Sequence, residues 1–368
     1  MFRVCRVVFV LFLSSLLLAC AQLEKKSEQA RIYWPLPPDP PRFVYEAPLK
    51  TEDSIRVMSR EIRLRRAVTG EAGGRLLFRK PFGVAAGAGL VVVTDTVLRH
   101  GIIINLRRQK AYRFGHVGNM GRTIKPAGVA LGVGNEIFVA DISARRVYVY
   151  DSLGMYLRTI GSPDQFDRPV GVAVAEDGSR VYVVDAGGID SRRHRVLVFG
   201  RDGELLSAFG ARGTGHGEFN LPTGITVTPG GNVLVLDAGN FRIQEFSADG
   251  RFLKAWGEVG TRFGDFARPR GIATDSDGNV YVTDAAFRNM QVFNSSGQLL
   301  LTIDAQGRKA GPIMMGLPAG VAVDERGFVF MVDQLYAQVD VLRRLSPEEM
   351  EEIVAKREDN AKKTENQD

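Results

Sequence analysis

Short apolar runs alternate with tight polar turns through most of this chain. Residues 222–257 show the unit in full. Gly224-Ile225-Thr226-Val227 reads as a strand, and Pro229-Gly230-Gly231-Asn232 reads as a turn. Val233-Leu234-Val235-Leu236 is apolar throughout, as a strand covered on both faces should be. Arg242-Ile243-Gln244-Glu245-Phe246 gives a third strand, and Asp249-Gly250 a hairpin turn. A last strand runs from Phe252 to Trp256 and ends at Gly257. Similar turn pairs recur at Asp177-Gly178, Asp202-Gly203, Asp277-Gly278 and Ser296-Gly297.

The whole unit occurs six times. Each copy opens on Pro-x-Gly, at Pro81/Gly83, Pro126/Gly128, Pro169/Gly171, Pro222/Gly224, Pro269/Gly271 and Pro318/Gly320. The second apolar run of each copy ends in an aspartate: Asp95, Asp141, Asp185, Asp237, Asp284 and Asp333. Successive aspartates are 46, 44, 52, 47 and 49 residues apart, the length of one four-stranded propeller blade. The pattern therefore predicts an all-β, six-bladed β-propeller. After Asp333 only one more strand remains, over 339–345, so the sixth blade is one strand short. An isolated strand-like piece, Arg42-Phe43-Val44-Tyr45-Glu46, lies upstream. It is expected to complete blade six, closing the ring and removing its free edges.

Asp237-Ala238-Gly239-Asn240-Phe241-Arg242-Ile243 resembles the D-x-x-N-x-R-I signature of NHL repeats. Looser copies follow Asp141, Asp185, Asp284 and Asp333: Arg146-Val147, Arg195-Val196 after an insertion, Asn289-Met290 and Gln338-Val339. The resemblance covers residues 81–345 and implies a propeller of NHL-type blades. It does not imply one function.

The N-terminus carries a different signal. Arg3 and Arg6 precede an uncharged run from Val7 to Ala19. A bilayer span needs roughly 20 residues, so the run has the proportions of a signal-peptide core. Leu17-Leu18-Ala19-Cys20 resembles the bacterial lipobox. That resemblance implies cleavage before Cys20 and a diacylglycerol on its thiol. Ala21 in place of Asp then implies the outer membrane of a Gram-negative cell, with the protein facing the periplasm. The expected layout is a signal peptide over 1–19, a lipidated Pro-rich tether over 20–41, the propeller over 42–345, and a short helix with a disordered tail over 346–368. Ser346-Pro347-Glu348-Glu349 has the form of a capped helix start. A second helix is expected over 54–66, with Ile55, Met58 and Ile62 on one side.

Composition adds little beyond this. At 45% hydrophobic, 368 residues can bury a large core. Cys5 and Cys20 are the sole cysteines, so the body has no disulfide and must be held by its core and closure. The formal charge is +6, and the acid-rich tail leaves the body more basic than the whole. That favours anionic ligands or surfaces.

The candidate chemistry reads mainly as structure. Six aspartates in phase serve the fold, because an active site would need them in only one or two blades. His100, His116, His194 and His216 all fall in loops of one face, and no pair has local ligand spacing, so they are expected to be solvated. The inner strands carry no carboxylate, and the channel they line is expected to be apolar and packed. No catalytic residue, metal site or cofactor is assigned. Basic residues are more suggestive. Lys80, Lys125, Arg168 and Arg268 each precede a blade-opening proline, and Arg99, Arg145, Arg146, Arg192, Arg193 and Arg288 lie in loops of the same face. Arg145, Arg146, Arg192 and Arg193 are the candidate binding residues.

The function expected is a membrane-anchored cell-envelope scaffold that recognises a protein or an anionic polymer, with nucleic acid disfavoured for an exported chain. The alternatives are a metal-dependent hydrolase or lyase, akin to the peptide-amidating lyases with their channel zinc, and an exported small-molecule sensor. The oligomeric state stays open.

Overall fold

The computed structural model describes residues 31–56, 74–304 and 315–365. Cys20, the signal peptide, the first part of the tether, residues 57–66 of the expected helix and residues 366–368 lie outside them.

Six antiparallel sheets make a six-bladed ring, as the repeat predicts. The blades span residues 81–114, 126–160, 169–209, 224–256, 269–304 and 318–344, the last completed from the N-terminus. In blade four the strands are Gly224–Val227, Val233–Asp237, Arg242–Phe246 and Phe252–Trp256, from the axis outward. The second and third strands of each blade are almost wholly buried, because each blade is sandwiched between its neighbours. Core clusters accordingly bridge blades. Leu234, Leu236 and Ile243 of blade four pack with Ile272, Val280 and Val282 of blade five. Phe330, Val332 and Val339 of blade six pack with Val91, Val93 and Ile102 of blade one.

The Pro-x-Gly glycines mark where inner strands converge on the axis. A Cβ on Gly320 would lie 2.7 Å from the Phe82 carbonyl oxygen across the seam between blades six and one, and one on Gly271 only 2.4 Å from that of Ala319. Close backbone approach, not an unusual dihedral, requires glycine there.

The ring closes on Phe43–Leu49, which pairs antiparallel with Gln338–Arg344, setting Phe43 opposite Arg344 and Leu49 opposite Val339. A fifth strand, Tyr33–Trp34, pairs outside it, within the stretch read from sequence as a spacer. Phe43 and Tyr45 pack among Tyr281, Met290 and Leu342, and Trp34 joins the same cluster. Among the described residues, the segment near residue 54 forms a 3-10 turn, Glu52–Ile55. The C-terminal helix runs Pro347–Glu365, longer than its capped start suggested. Ser346 opens it by accepting the Glu349 amide, while Arg343 holds the Glu349 carboxylate. No helix among the described residues is long and apolar enough to cross a membrane.

Candidate functional site

Every inner strand begins, and every second strand ends, at the same side of the ring, here the proline face. The loops entering each blade and those joining its second and third strands therefore share it.

The six repeat aspartates are fully buried on this side. Asp95 accepts the Arg79 and Lys80 amides through Oδ2 and the Val97 and Leu98 amides through Oδ1. Asp141 and Asp284 repeat this pattern with Ile124, Lys125, Ser143 and Ala144, and with Ala267, Arg268, Ala286 and Phe287. Asp333 accepts the Gly316 amide through Oδ2 and the Leu317, Leu335 and Tyr336 amides through Oδ1. Each carboxylate thus staples the loop entering its blade to the turn after its second strand. Asp237 is held instead by the Asn220 amide and by the side chains of Asn240, Arg242 and Gln244 at 2.8–3.1 Å. Asp185 accepts the Asp167 and Arg168 amides and faces Arg195 at 3.7 Å. Burial pushes the Asp185 and Asp237 carboxyls up, and their N–H partners oppose it. Asp95, Asp141, Asp237, Asp284 and Asp333 are fully engaged by these donors, and all six carboxylates are sealed from solvent, so none is placed to meet a substrate.

The stapled turns end in residues at positive φ: Arg99, Arg145, Phe241, Arg288 and Ala337, between 50° and 58°. The amides of Arg99 and Arg145 close back onto the carbonyls of Asp95 and Asp141. A side chain in this left-handed region is uncommon outside glycine and asparagine, and three of these five are arginines. Arg99, Arg145 and Arg288 are all exposed.

The structure separates the four arginines chosen from sequence. Arg145 and Arg192 are exposed and make no ion pair among the described residues. Arg146 is half-buried and donates to the Ala144 carbonyl at 3.2 Å. Arg193 is tied to the Asp164 carbonyl and pairs with Asp167 at 3.3 Å. Exposed apolar side chains share the face, with Met120 and Ile189 76% exposed and Phe263 80% exposed. A sequence scan for charge passes over them.

Two histidines differ from expectation. His194 is fully buried, not solvated: Nδ1 accepts the Leu221 amide at 3.1 Å and Nε2 lies 3.1 Å from the Gly188 carbonyl. It pins the blade-three insertion to the loop entering blade four. His100 is also buried, with Nδ1 2.8 Å from the Leu98 carbonyl and Nε2 unpartnered. Burial holds its imidazole below the usual histidine range, with Arg113 and His116 adding to the effect. His116 is exposed beside it, ring centroids 5.6 Å apart, while exposed His216 stacks on Phe252 at 4.6 Å. Among the described residues no three His, Cys, Asp or Glu side chains converge as a metal site would require.

The channel departs from expectation at its proline-face mouth. The inner strands are apolar, but the middle residue of Pro-x-Gly also faces the axis. Five of the six do so, Phe82, Val170, Thr223, Arg270 and Ala319, while Ala127 is fully buried. Phe82, Val170, Thr223 and Arg270 line a cavity of about 70 Å³. The opposite mouth is wider, about 240 Å³, and is ringed by Ala86, Leu131, Val174, Val227, Thr274 and Val323.

Comparison with known proteins agrees with this architecture. The NHL repeat model matches residues 219–246 and 266–293. The chain is 29% identical over 140 residues to Protein brain tumor of Drosophila melanogaster, a match covering 36% of this chain and 13% of that protein. It is 31% identical over 117 residues to NHL repeat-containing protein 3 of Homo sapiens, covering 28% and 33%. The chain thus spans a third or less of these relatives. Among solved structures, a gluconolactonase from Xanthomonas campestris superposes with a TM-score of 0.56 at 16% identity, covering 86% of this chain and 97% of that one. Virginiamycin B lyase from Staphylococcus aureus superposes at 0.53 with 13% identity, covering 74% and 84%. At such identities the likeness is one of fold alone. Sequence and structure together make the ring an NHL-repeat six-bladed β-propeller.

Proposed function

We propose that this NHL-repeat propeller is a recognition scaffold of the bacterial cell envelope, anchored by a lipid on Cys20 and binding a protein or an anionic polymer through its proline face. The observation that carries the reading is the composition of that face. Its repeat aspartates are buried in staples, while Arg99, Arg145, Arg192 and Arg288 stand exposed among Met120, Ile189 and Phe263. Exposed cations interleaved with large apolar groups suit an interface with an acidic, partly apolar partner.

The test is capture from envelope extracts by the full chain and by an Arg145→Glu/Arg192→Glu variant, at low and moderate salt. Surface charges are screened over about 8–10 Å at physiological ionic strength. Capture should therefore fall with salt for the wild type and be weak for the variant at both salts. Equal capture in all four arms would refute the reading. The anchor is tested separately: Cys20→Ser should leave an unprocessed precursor or release the chain from the membrane fraction. Normal processing and membrane retention of that variant would remove the anchor from the proposal.

A further inference from the structure

Arg270 is the middle residue of Pro269-Arg270-Gly271, and its side chain crosses the channel mouth. Its guanidinium carbon lies 5.7 Å from the ring centroid of Phe82, on blade one, with blade six in between. It makes no hydrogen bond or ion pair among the described residues. The side chains that bear on it electrostatically are Arg268 and Arg168, both cationic. Burial and these two neighbours pull its guanidinium below the ordinary value, with no carboxylate opposing them. Arginine nonetheless stays charged in a protein. The side chain is half-buried, and a cation partly withdrawn from water with no counter-charge beside it is poorly compensated.

A second polar group lines the same cavity and also lacks a partner. Thr223 Oγ1 is buried with no hydrogen bond. The remaining side chains of the wall are apolar, among them Val84, Val129, Ile225 and Ile272. We propose that the proline-face mouth of the channel is a binding site for a small carboxylate, held by the Arg270 guanidinium and the Thr223 hydroxyl. A planar carboxylate matches two parallel guanidinium N–H groups. The hydroxyl supplies a third donor, and the aliphatic wall suits a short alkyl tail. The inference deepens the reading of the proline face as a recognition surface and rests on it for the direction of approach, but its test does not involve the face's partner.

The experiment is thermal unfolding of the purified full chain in acetate, in inorganic phosphate and in sodium chloride, all at matched ionic strength. A ligand that binds only the folded state raises Tm along a saturating curve. Acetate should raise the wild-type Tm in this way, and chloride should not. Arg270→Gln should abolish the response. Thr223→Val, which removes one hydrogen bond and keeps the shape, should weaken apparent affinity roughly five-fold. Far-UV circular dichroism verifies that both variants are folded, and the Thr223 variant carries the test if Arg270→Gln is not. An equal rise in chloride, or an undiminished acetate response in both variants, would overturn the site. A larger response to phosphate than to acetate would overturn the carboxylate assignment. Because no macromolecular partner is present, a failure here leaves envelope capture through Arg145 and Arg192 standing, and the converse also holds.

Discussion

Blades four and six fill their outermost repeat positions in opposite ways. In blade four the fourth strand, Phe252–Trp256, has no fully buried residue. In blade six the same place is taken by Phe43–Leu49, where Phe43, Val44, Tyr45 and Leu49 are buried. At Phe43 and Val44 the difference arises because Tyr33–Trp34 pairs outside them and turns an edge into an interior, while Leu49 is covered by Ile55, Leu77 and Phe78. The third strands differ as well. Gln244 of blade four reaches the Gly217 amide, the Glu218 carbonyl and Asp237, so both ends of its amide are satisfied. Asp340 of blade six, two residues after Gln338 as Gln244 is two after Arg242, accepts from Tyr45 and Gln338 through Oδ1 alone. Its Oδ2 is buried without a partner, and burial pushes the carboxyl up to about 7. The joint of the ring is therefore its best-covered outer strand and also holds a poorly solvated charge.

Deleting residues 42–49 should have the largest effect. Four buried side chains at roughly 1.5–3 kcal/mol each amount to about 6–12 kcal/mol, comparable with the stability of an ordinary domain. Deletion of blade four's outer strand should cost less, because its side chains are half-exposed. Urea unfolding of the two deletions ranks them, and the reverse order would break the comparison.

Asp237→Ala comes next. It leaves the Asn220 amide, Asn240 and the mostly buried Arg242 without their shared acceptor. The expected loss is about 3–5 kcal/mol, as for breaking a buried ion pair. Asp333→Ala, which strands only backbone amides, should cost less. Equal midpoints in urea would mean that blade four's side-chain cage adds nothing.

The Asp340 carboxyl sharpens the comparison through pH. Its folded value is raised to about 7, above an unfolded value near 3.9, so the folded state binds the extra proton between them. Stability should fall as pH rises from about 4 through 7, by at most about 4 kcal/mol for the full shift. Melting from pH 5 to pH 8 should show this fall in the wild type and a smaller one in Asp340→Asn. An unchanged profile would show that the carboxyl is not the source. Smallest on stability is Arg145→Glu with Arg192→Glu, in loops of blades two and three. Two exposed charges should move the midpoint by less than about 1 kcal/mol. A larger shift would make these arginines part of the fold rather than of the binding face.

The fold was legible wherever the repeat imposes one residue on all six blades. Gly320 and Gly271 are dictated by close approach at the axis, and Asp95 by a loop that needs a buried acceptor. The closing strand was legible because blade six was visibly one strand short. What escaped notice lies where copies differ. The middle residue of Pro-x-Gly ranges from Ala to Arg, so nothing in its pattern marks Arg270 as facing the axis. His194 looked solvated because it ends a polar insertion, yet a contact with Leu221 of the next loop buries it. Tyr33–Trp34 is two residues long and sits in a Pro-rich run, too short for any periodicity to show.

The Tyr45–Asp340 bond joins groups 295 residues apart, and this separation shapes how the molecule comes into being. On a chain made from its N-terminus, the closing strand emerges before any blade and has no partner until the last one is complete. Five blades can stack in order while Phe43–Leu49 waits with its backbone unpaired and its aromatic side chains uncovered. Contacts of such high sequence separation fold slowly, and an exposed strand is a template for pairing with other chains. The element that seals the finished ring is thus, during synthesis, the segment most in need of protection.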